Sequence, residues 1–342
     1  MPPELLRRIA LRGNARQRET ALDTLATDHT LRLARATYQL LESGARRGLL
    51  ASPVAAKQRT VYDAQGRETL PGRAVRVEGG ASVPDVDVNE AYDGLGATFD
   101  FFSEVYERNS IDDEGLHLDA TVHYGRRYDN AFWNGRQMVF GDGDGDLFNR
   151  FTIALDVIAH ELTHGVTGDE ARLVYLGQAG ALNESISDVF GSLVKQYARG
   201  QTAEEADWLI GEGLFTPSVH GVALRSMKAP GTAFDDPVLG RDPQPATMAG
   251  YVRTSADNGG VHTNSGIPNR AFYLAAVALG GHAWERAGRI WYETLRDKRL
   301  KPTATFRQFA RYTVINAAQF FGPAERHAVA AAWEEVGIKS LG

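Results

Sequence analysis

The chain has 342 residues, 43% of them hydrophobic, with no cysteine and a formal net charge of −6. That length leaves room for more than one core, and about two domains are expected. The acidic balance, with no basic stretch interleaved with aromatics, argues against a nucleic-acid partner. No apolar run approaches the roughly 18 residues of a membrane span, and without cysteine no disulfide contributes.

The charge is unevenly spread. Residues 1–50 hold nine arginines against five acids, a net of +4, so the remainder carries −10. Arg16 to Glu42 has the spacing of an amphipathic helix, through Leu22, Leu25, Leu33, Ala36, Tyr38 and Leu40, and Gly44 to Ala56 reads as a small-residue linker. A basic helix ahead of an acidic body could in principle meet a membrane surface or nucleic acid. The preferred reading is a detachable helical pro-segment over 1–50 that docks on the acidic body and blocks its cleft, followed by a linker at 51–59. Pro2 to Arg18 lacks the apolar core of about 7–15 residues that a secretory signal needs.

From about Thr60 to Phe151, turn signals alternate with short β-type runs such as Val75-Arg76-Val77, Ala120 to Tyr124 and Gln137 to Phe140, with one amphipathic helix near Asn89 to Arg108. Gly141 to Asp146 alternates glycine and aspartate and partly imitates a calcium loop. The EF-hand pattern wants glycine at its sixth position and glutamate at its twelfth, where Leu147 and Ile153 stand, so the stretch reads as a tight turn. Beyond it helices dominate: one over Thr152 to Thr167, one starting at Gly180 after a loop at 168–180, one after Pro268, one from His282 to Leu295, and two between Thr303 and Val336. The expected fold class is α+β, with an N-terminal β-rich lobe at 60–156, a C-terminal helical lobe at 157–342, and a site in the cleft between them.

The segment Val157-Ile158-Ala159-His160-Glu161-Leu162-Thr163-His164 carries the chemistry. On a helix of 3.6 residues per turn, His160 and His164 project about 40° apart, close enough to share one zinc ion, while Glu161 lies at the edge of that face. A catalytic zinc usually takes three protein ligands and keeps a fourth position for water, so a third donor is expected on a neighbouring element. Glu184 and Asp188, again four residues apart, share a face of the next helix. If the two helices pack antiparallel, Glu184 completes the metal site and Asp188 accepts a hydrogen bond from the free ring nitrogen of His160.

These motifs resemble the thermolysin family of zinc endopeptidases. The resemblance rests on His160 to His164 and Gly180 to Asp188, and continues through Leu224-Arg225-Ser226-Met227 and Asp257 to Gly266. It runs from about Thr60 to the C-terminus, and the short N-terminal segment beginning Met1-Pro2-Pro3-Glu4-Leu5-Leu6 looks most like the protealysin subgroup. The resemblance implies a two-lobed, self-processing metalloendopeptidase holding one catalytic zinc on His160, His164 and Glu184, with Glu161 as general base toward a zinc-activated water. It further implies His262 and Tyr175 as oxyanion donors, Asp257 orienting His262, Arg225 on the substrate carbonyl, and Asn130 with the Ala131 backbone anchoring the peptide. Phe148, Val157 and Leu224, with Phe151 nearby, would line an apolar leaving-side pocket, so bulky hydrophobic residues are expected after the cleaved bond. The same preference places self-cleavage near Gly48–Leu49 or Leu49–Leu50, within a processing region at 48–57.

One departure from the family pattern is informative. Its double calcium site is matched here by Asp156, but also by Lys195 and Leu209, leaving Asp207 and Glu212 as remnants. A salt bridge between Asp156 and Lys195 is expected to replace that site, and Val222 replaces a carboxylate expected at a second calcium position. Secretion follows by family analogy, with a cytoplasmic location or non-classical export as the alternative. Peptide substrates and the chain's own pro-segment are the expected partners, and a separately encoded protein inhibitor is a further one. Two rival functions are an inactive zinc-retaining binding module, opposed by the presence of Glu161, His262 and Tyr175, and a hydrolase of non-peptide substrates, opposed by Asn130 and Arg225.

Overall fold

The computed structural model describes residues 1–28, 30 and 56–339. The chain divides into two compact units, one comprising Met1–Val166, Gly213–His220 and Asp236–Gly240, the other Thr167–Glu212, Gly221–Asp235 and Arg241–Gly342.

The first unit opens with helix α1, Pro3–Arg12, which has proline in its first turn and buries Leu5, Leu6 and Ile9. Helix α1 was not singled out from sequence, although Leu5, Leu6 and Ile9 share the spacing of one helical face. Residues 15–28, and residue 30, are helical and form α2; the rest of the helix expected to Glu42, and positions 48–55 of the processing region expected at 48–57, lie outside the described residues.

A mixed five-stranded sheet follows, in the order β2-β1-β3-β5-β4. Its strands are β1 (Arg59–Asp63), β2 (Arg73–Val77), β3 (Leu118–Val122), β4 (Ala131–Trp133) and β5 (Gln137–Phe140). β3 runs parallel to both β1 and β5, while β2 and β4 close the two edges antiparallel. Helix α3, Val86–Tyr106, is capped by Asp85, whose side chain accepts from the Asp87 amide. It begins three residues earlier than the apolar pattern suggests because that cap lies ahead of the first periodic residue.

His123 follows β3 with its backbone in the left-handed region, φ 53. Its ring lies 2.8 Å from Asp142 and 2.9 Å from Asp85, so the imidazolium ties the loop at 141–146 to the start of α3. The hydrogen bond to Asp142, reinforced by that to Asp85, outweighs burial and lifts the His123 pKa to about 10. The glycine-aspartate run is a turn, as read: Asp144 accepts from the amides of Asp146, Leu147 and Phe148.

Helix α4, Leu155–Glu170, carries the histidine motif, and the division between the units falls within it. The second unit is largely helical, with α5 (Gly177–Arg199), α6 (Asp257–Asn264), α7 (Gly266–Leu279), α8 (Arg289–Leu295), α9 (Phe306–Phe320) and α10 (Pro323–Glu335). A short strand pair, β6 (Leu209–Ile210) and β7 (Arg225–Ser226), joins them. From Ala179 to Gln196 α5 is buried on every face, the mark of a central helix. Around it Trp291 stacks on Trp333, ring centroids 5.9 Å apart, with Phe309 edge-on to both. The expected helix from His282 begins instead with a π-helical turn, Trp284–Gly288. α9 starts at a reciprocal cap between Thr305 and Gln308, and α10 has proline in its first turn.

Candidate metal centre and active site

In the first unit, α4 brings His160, Glu161 and His164 together as buried side chains whose donor atoms all lie within 4.8 Å of one another. The imidazole rings stand edge to face, centroids 4.8 Å apart. Two imidazoles at this spacing suit a single zinc ion, with the Glu161 carboxylate beside it and free to act as a base. Glu161 is held by the Trp133 amide, which donates to its Oε2 at 3.0 Å. This main-chain contact fixes the carboxylate from the edge of β4. Gly165 lets α4 approach that strand, since a Cβ there would meet Ile111 at 2.4 Å and the Trp133 ring at 3.4 Å.

The same unit holds Asn130 and Ala131. The Ala131 amide donates to Asn130 Oδ1 at 2.9 Å, and the N-terminal segment occupies the rest of Asn130. Asn130 Nδ2 donates to both carboxylate oxygens of Asp28 at 2.8 Å, Tyr128 donates to Asp28, and the Met1 ammonium donates to Asn130 Oδ1. Burial, with the Asp28 charge beside it, pushes the Tyr128 phenol well above its ordinary range. Gln17 donates to Asp146 at 2.8 Å, Arg16 to the Asp144 carbonyl at 3.2 Å, and Thr24 accepts from the Asp129 amide at 3.3 Å. Phe148 and Val157 are buried here, with Phe148 against Phe151 and Phe215, and Asp156 is buried in the first turn of α4.

The second unit gathers Glu184, Tyr175, His262 and Asp257. The Tyr175 hydroxyl donates to Glu184 and lies 3.3 Å from His262 Nε2, which is 3.6 Å from Glu184. Asp257 accepts from His262 twice, from ring Nδ1 at 2.7 Å and from the backbone amide at 2.9 Å. Burial alone would raise the Asp257 pKa, but the charge and hydrogen bonds of His262 win and lower it. This double contact depends on a left-handed turn: Asp257, Asn258, Gly259 and Gly260 have φ of 49, 50, 86 and 76. Aspartate, asparagine and glycine are the residues that tolerate it.

Gly180 serves the same cluster through close packing. A Cβ there would fall 2.5 Å from Val261 and 2.9 Å from the Tyr175 backbone. The helix expected from Gly180 begins three residues earlier, at Gly177.

Asp188 is fully buried and takes a two-pronged contact from Arg225, 2.8 and 2.6 Å, plus an amide hydrogen from Asn269 at 2.8 Å. Leu224, beside Arg225, is also buried. Lys195 donates to Asp207 at 2.8 Å and to the Leu209 carbonyl at 2.7 Å. Burial would raise the Asp207 pKa, but Lys195, with the Leu209 amide and the Arg199 charge, more than offsets it and the value is lowered. Trp133, Asn269, Asp28 and Thr24 were not singled out from sequence; the Trp133 contact uses a backbone amide and leaves no side-chain signature.

Residues 23–168 match the description of the thermolysin metallopeptidase catalytic domain, and residues 171–338 that of its alpha-helical domain. The chain belongs to the thermolysin family and is a metalloprotease, with a sheet-containing N-terminal domain and a helical C-terminal domain. Within that family it is similar to the precursor of protealysin from Serratia proteamaculans, at 56% identity and a TM-score of 0.90 over 99% of this chain and 98% of that one. An extracellular metalloprotease of Pectobacterium carotovorum subsp. carotovorum is 56% identical over 99% of this chain and 96% of its own length. Protease PrtS of Photorhabdus sp. (strain Az29) is 54% identical over 82% of this chain and 76% of its own.

Proposed function

We propose that this protein is a zinc-dependent endopeptidase that cuts on the amino side of bulky hydrophobic residues and is made as a self-processing precursor. The observation that carries the reading is the buried His160, Glu161 and His164 cluster with Glu161 held by the Trp133 amide. In this reading His160, His164 and Glu184 hold zinc, which when bound acidifies water and polarises the substrate carbonyl. Glu161 takes the proton from the attacking water and later delivers it to the leaving amine. Tyr175 and His262 donate to the developing oxyanion, and the anionic Asp257 keeps His262 oriented with Nδ1 as the donor to it. Arg225, anchored by Asp188, and Asn130 with Ala131 position the peptide, while Phe148, Val157 and Leu224 supply an apolar pocket worth about 1–3 kcal/mol per discriminating group.

The N-terminal segment acts as an intramolecular inhibitor, because Asp28 and Met1 take the Asn130 groups that a substrate backbone would need. Lys195, already engaged with Asp207, fills the usual double calcium position, so stability does not depend on calcium there. Relatives named as extracellular support export of the mature enzyme. No described helix is long and apolar enough to cross a membrane. A hydrolysis assay on casein and on dipeptides varied after the scissile bond, with and without a chelator, tests this function. Chelator-sensitive cleavage preferring leucine or phenylalanine is expected; chelator-resistant cleavage, or faster cleavage before aspartate or lysine, contradicts it.

A further inference from the structure

The strip that receives the N-terminal segment contains one group that the proposed chemistry does not use. Asp129 is 1% exposed, and its Oδ1 has no hydrogen-bond partner among the described residues. Its neighbours on either side in sequence, Tyr128 and Asn130, both hold Asp28, and its own amide donates to Thr24. The α2 helix therefore touches the backbone of Asp129 and the side chains on both sides of it. The loop at 141–146 faces it with a second carboxylate, Asp144, whose backbone carbonyl is bonded by Arg16 and whose neighbour Asp146 is bonded by Gln17. Arg127, the cation nearest in sequence, is 3.7 Å from Glu19 of α2.

A carboxyl in that position is driven toward its neutral form. Burial raises its pKa most, the Asp144 charge adds to this, and the Asp144 amide and Arg127 offset only part, leaving it at about 8. An aspartate in water ionises near 4.

We propose that Asp129 is a proton-operated latch for the N-terminal segment: the docked segment requires its carboxyl protonated, and losing that proton favours release. The inference rests on the inhibitory role given above to this segment. The direction follows from linkage. A carboxyl whose pKa is raised on docking makes docking take up a proton, so docking is tightest at acid pH and weakens as pH climbs from about 4 to about 8, by at most about tenfold per pH unit. The charged groups that act on it are Asp144 from the loop and Arg127 from its own segment, and the charged groups of α2 around this strip are Arg16 on the Asp144 carbonyl, Glu19 beside Arg127 and Asp28 on Tyr128 and Asn130. Neutral pH or above thus promotes opening of the precursor, and an acidic compartment holds it shut.

The test uses the full chain carrying Glu161→Gln, so that no self-cleavage interferes, and follows its cutting by added trypsin at Arg16 and Arg18 of α2. Rates at pH 5.5, 7 and 8.5 are normalised to those for an unstructured arginine peptide. The normalised rate is expected to rise at least tenfold from pH 5.5 to 8.5, and to become flat when Asp129→Asn is added. Asp144→Asn, which keeps an oxygen for the turn amides, is a second variant and should move the rise to lower pH. An equal rise in all three chains, or protection that does not change with pH, overturns the latch while leaving the inhibitory role intact. Rapid cutting at every pH means that the segment is not docked at all, and overturns both. Because cutting of the segment is read rather than peptidase activity, an inactive enzyme does not bear on the result.

Discussion

The helix carrying His160, Glu161 and His164 and the strip at 127–146 that receives the N-terminal segment belong to one compact unit, yet they are specified in opposite ways. The first is local: three side chains within five positions on α4 converge because of helical pitch alone. The second is assembled from partners more than 100 residues apart, Asp28 with Asn130, Thr24 with Asp129 and Gln17 with Asp146. A local constellation persists whenever its helix forms, whereas a long-range one can be undone without unfolding the rest. That is a suitable division between a catalytic group that must stay and an inhibitory contact that must leave.

The comparison sharpens under substitution. The largest effect is expected at the local end: Glu161→Gln should cost at least about a thousandfold in kcat/KM toward a dipeptide substrate, within the usual range for a general base, with the melting temperature little changed. Next comes Asp188→Ala, which strands the buried Arg225 charge and should lower stability by about 3 kcal/mol or more in denaturant titration. At the long-range end, Asp28→Ala should leave the folded body intact but speed removal of the N-terminal segment about 10- to 100-fold, as followed by electrophoresis of the maturing chain, because it deletes charge-assisted hydrogen bonds to Asn130 and Tyr128. Equal destabilisation of the whole molecule by Asp28→Ala would break the contrast drawn here.

The smallest effect concerns His123. Its pKa is raised in the folded state to about 10, so the imidazolium contributes stability that is full below the ordinary histidine value near 6.5 and is lost as pH rises through about 10. After solvent screening this is on the order of 1–2 kcal/mol. A His123→Gln chain should therefore show a flatter melting temperature between pH 7 and 10 than the native one.

The same contrast explains what could be read in advance. The histidine pair, the strands at Gln137–Phe140 and Arg73–Val77, and α9 and α10 follow from periodicity and caps, which are local. The grip of Asp257 on His262 was reached only through family resemblance, because it needs four successive left-handed residues whose purpose appears only in three dimensions. The start of α5 at Gly177 was missed because the glycine-containing stretch 168–180 reads as a loop, whereas Gly180 lies inside the helix and is required by the approach of Tyr175 and Val261. The placing of Asp28 on Asn130 carries no sequence signal, since an aspartate on an amphipathic helix is ordinarily a solvated one.

Metal content tests the central reading most directly. Elemental analysis of the full chain, purified without chelators or added metal, should find one zinc per molecule, and His160→Ala or His164→Ala should abolish it together with peptidase activity. An active preparation with no stoichiometric zinc, or zinc retained undiminished after loss of either histidine, would contradict a metal centre built on α4.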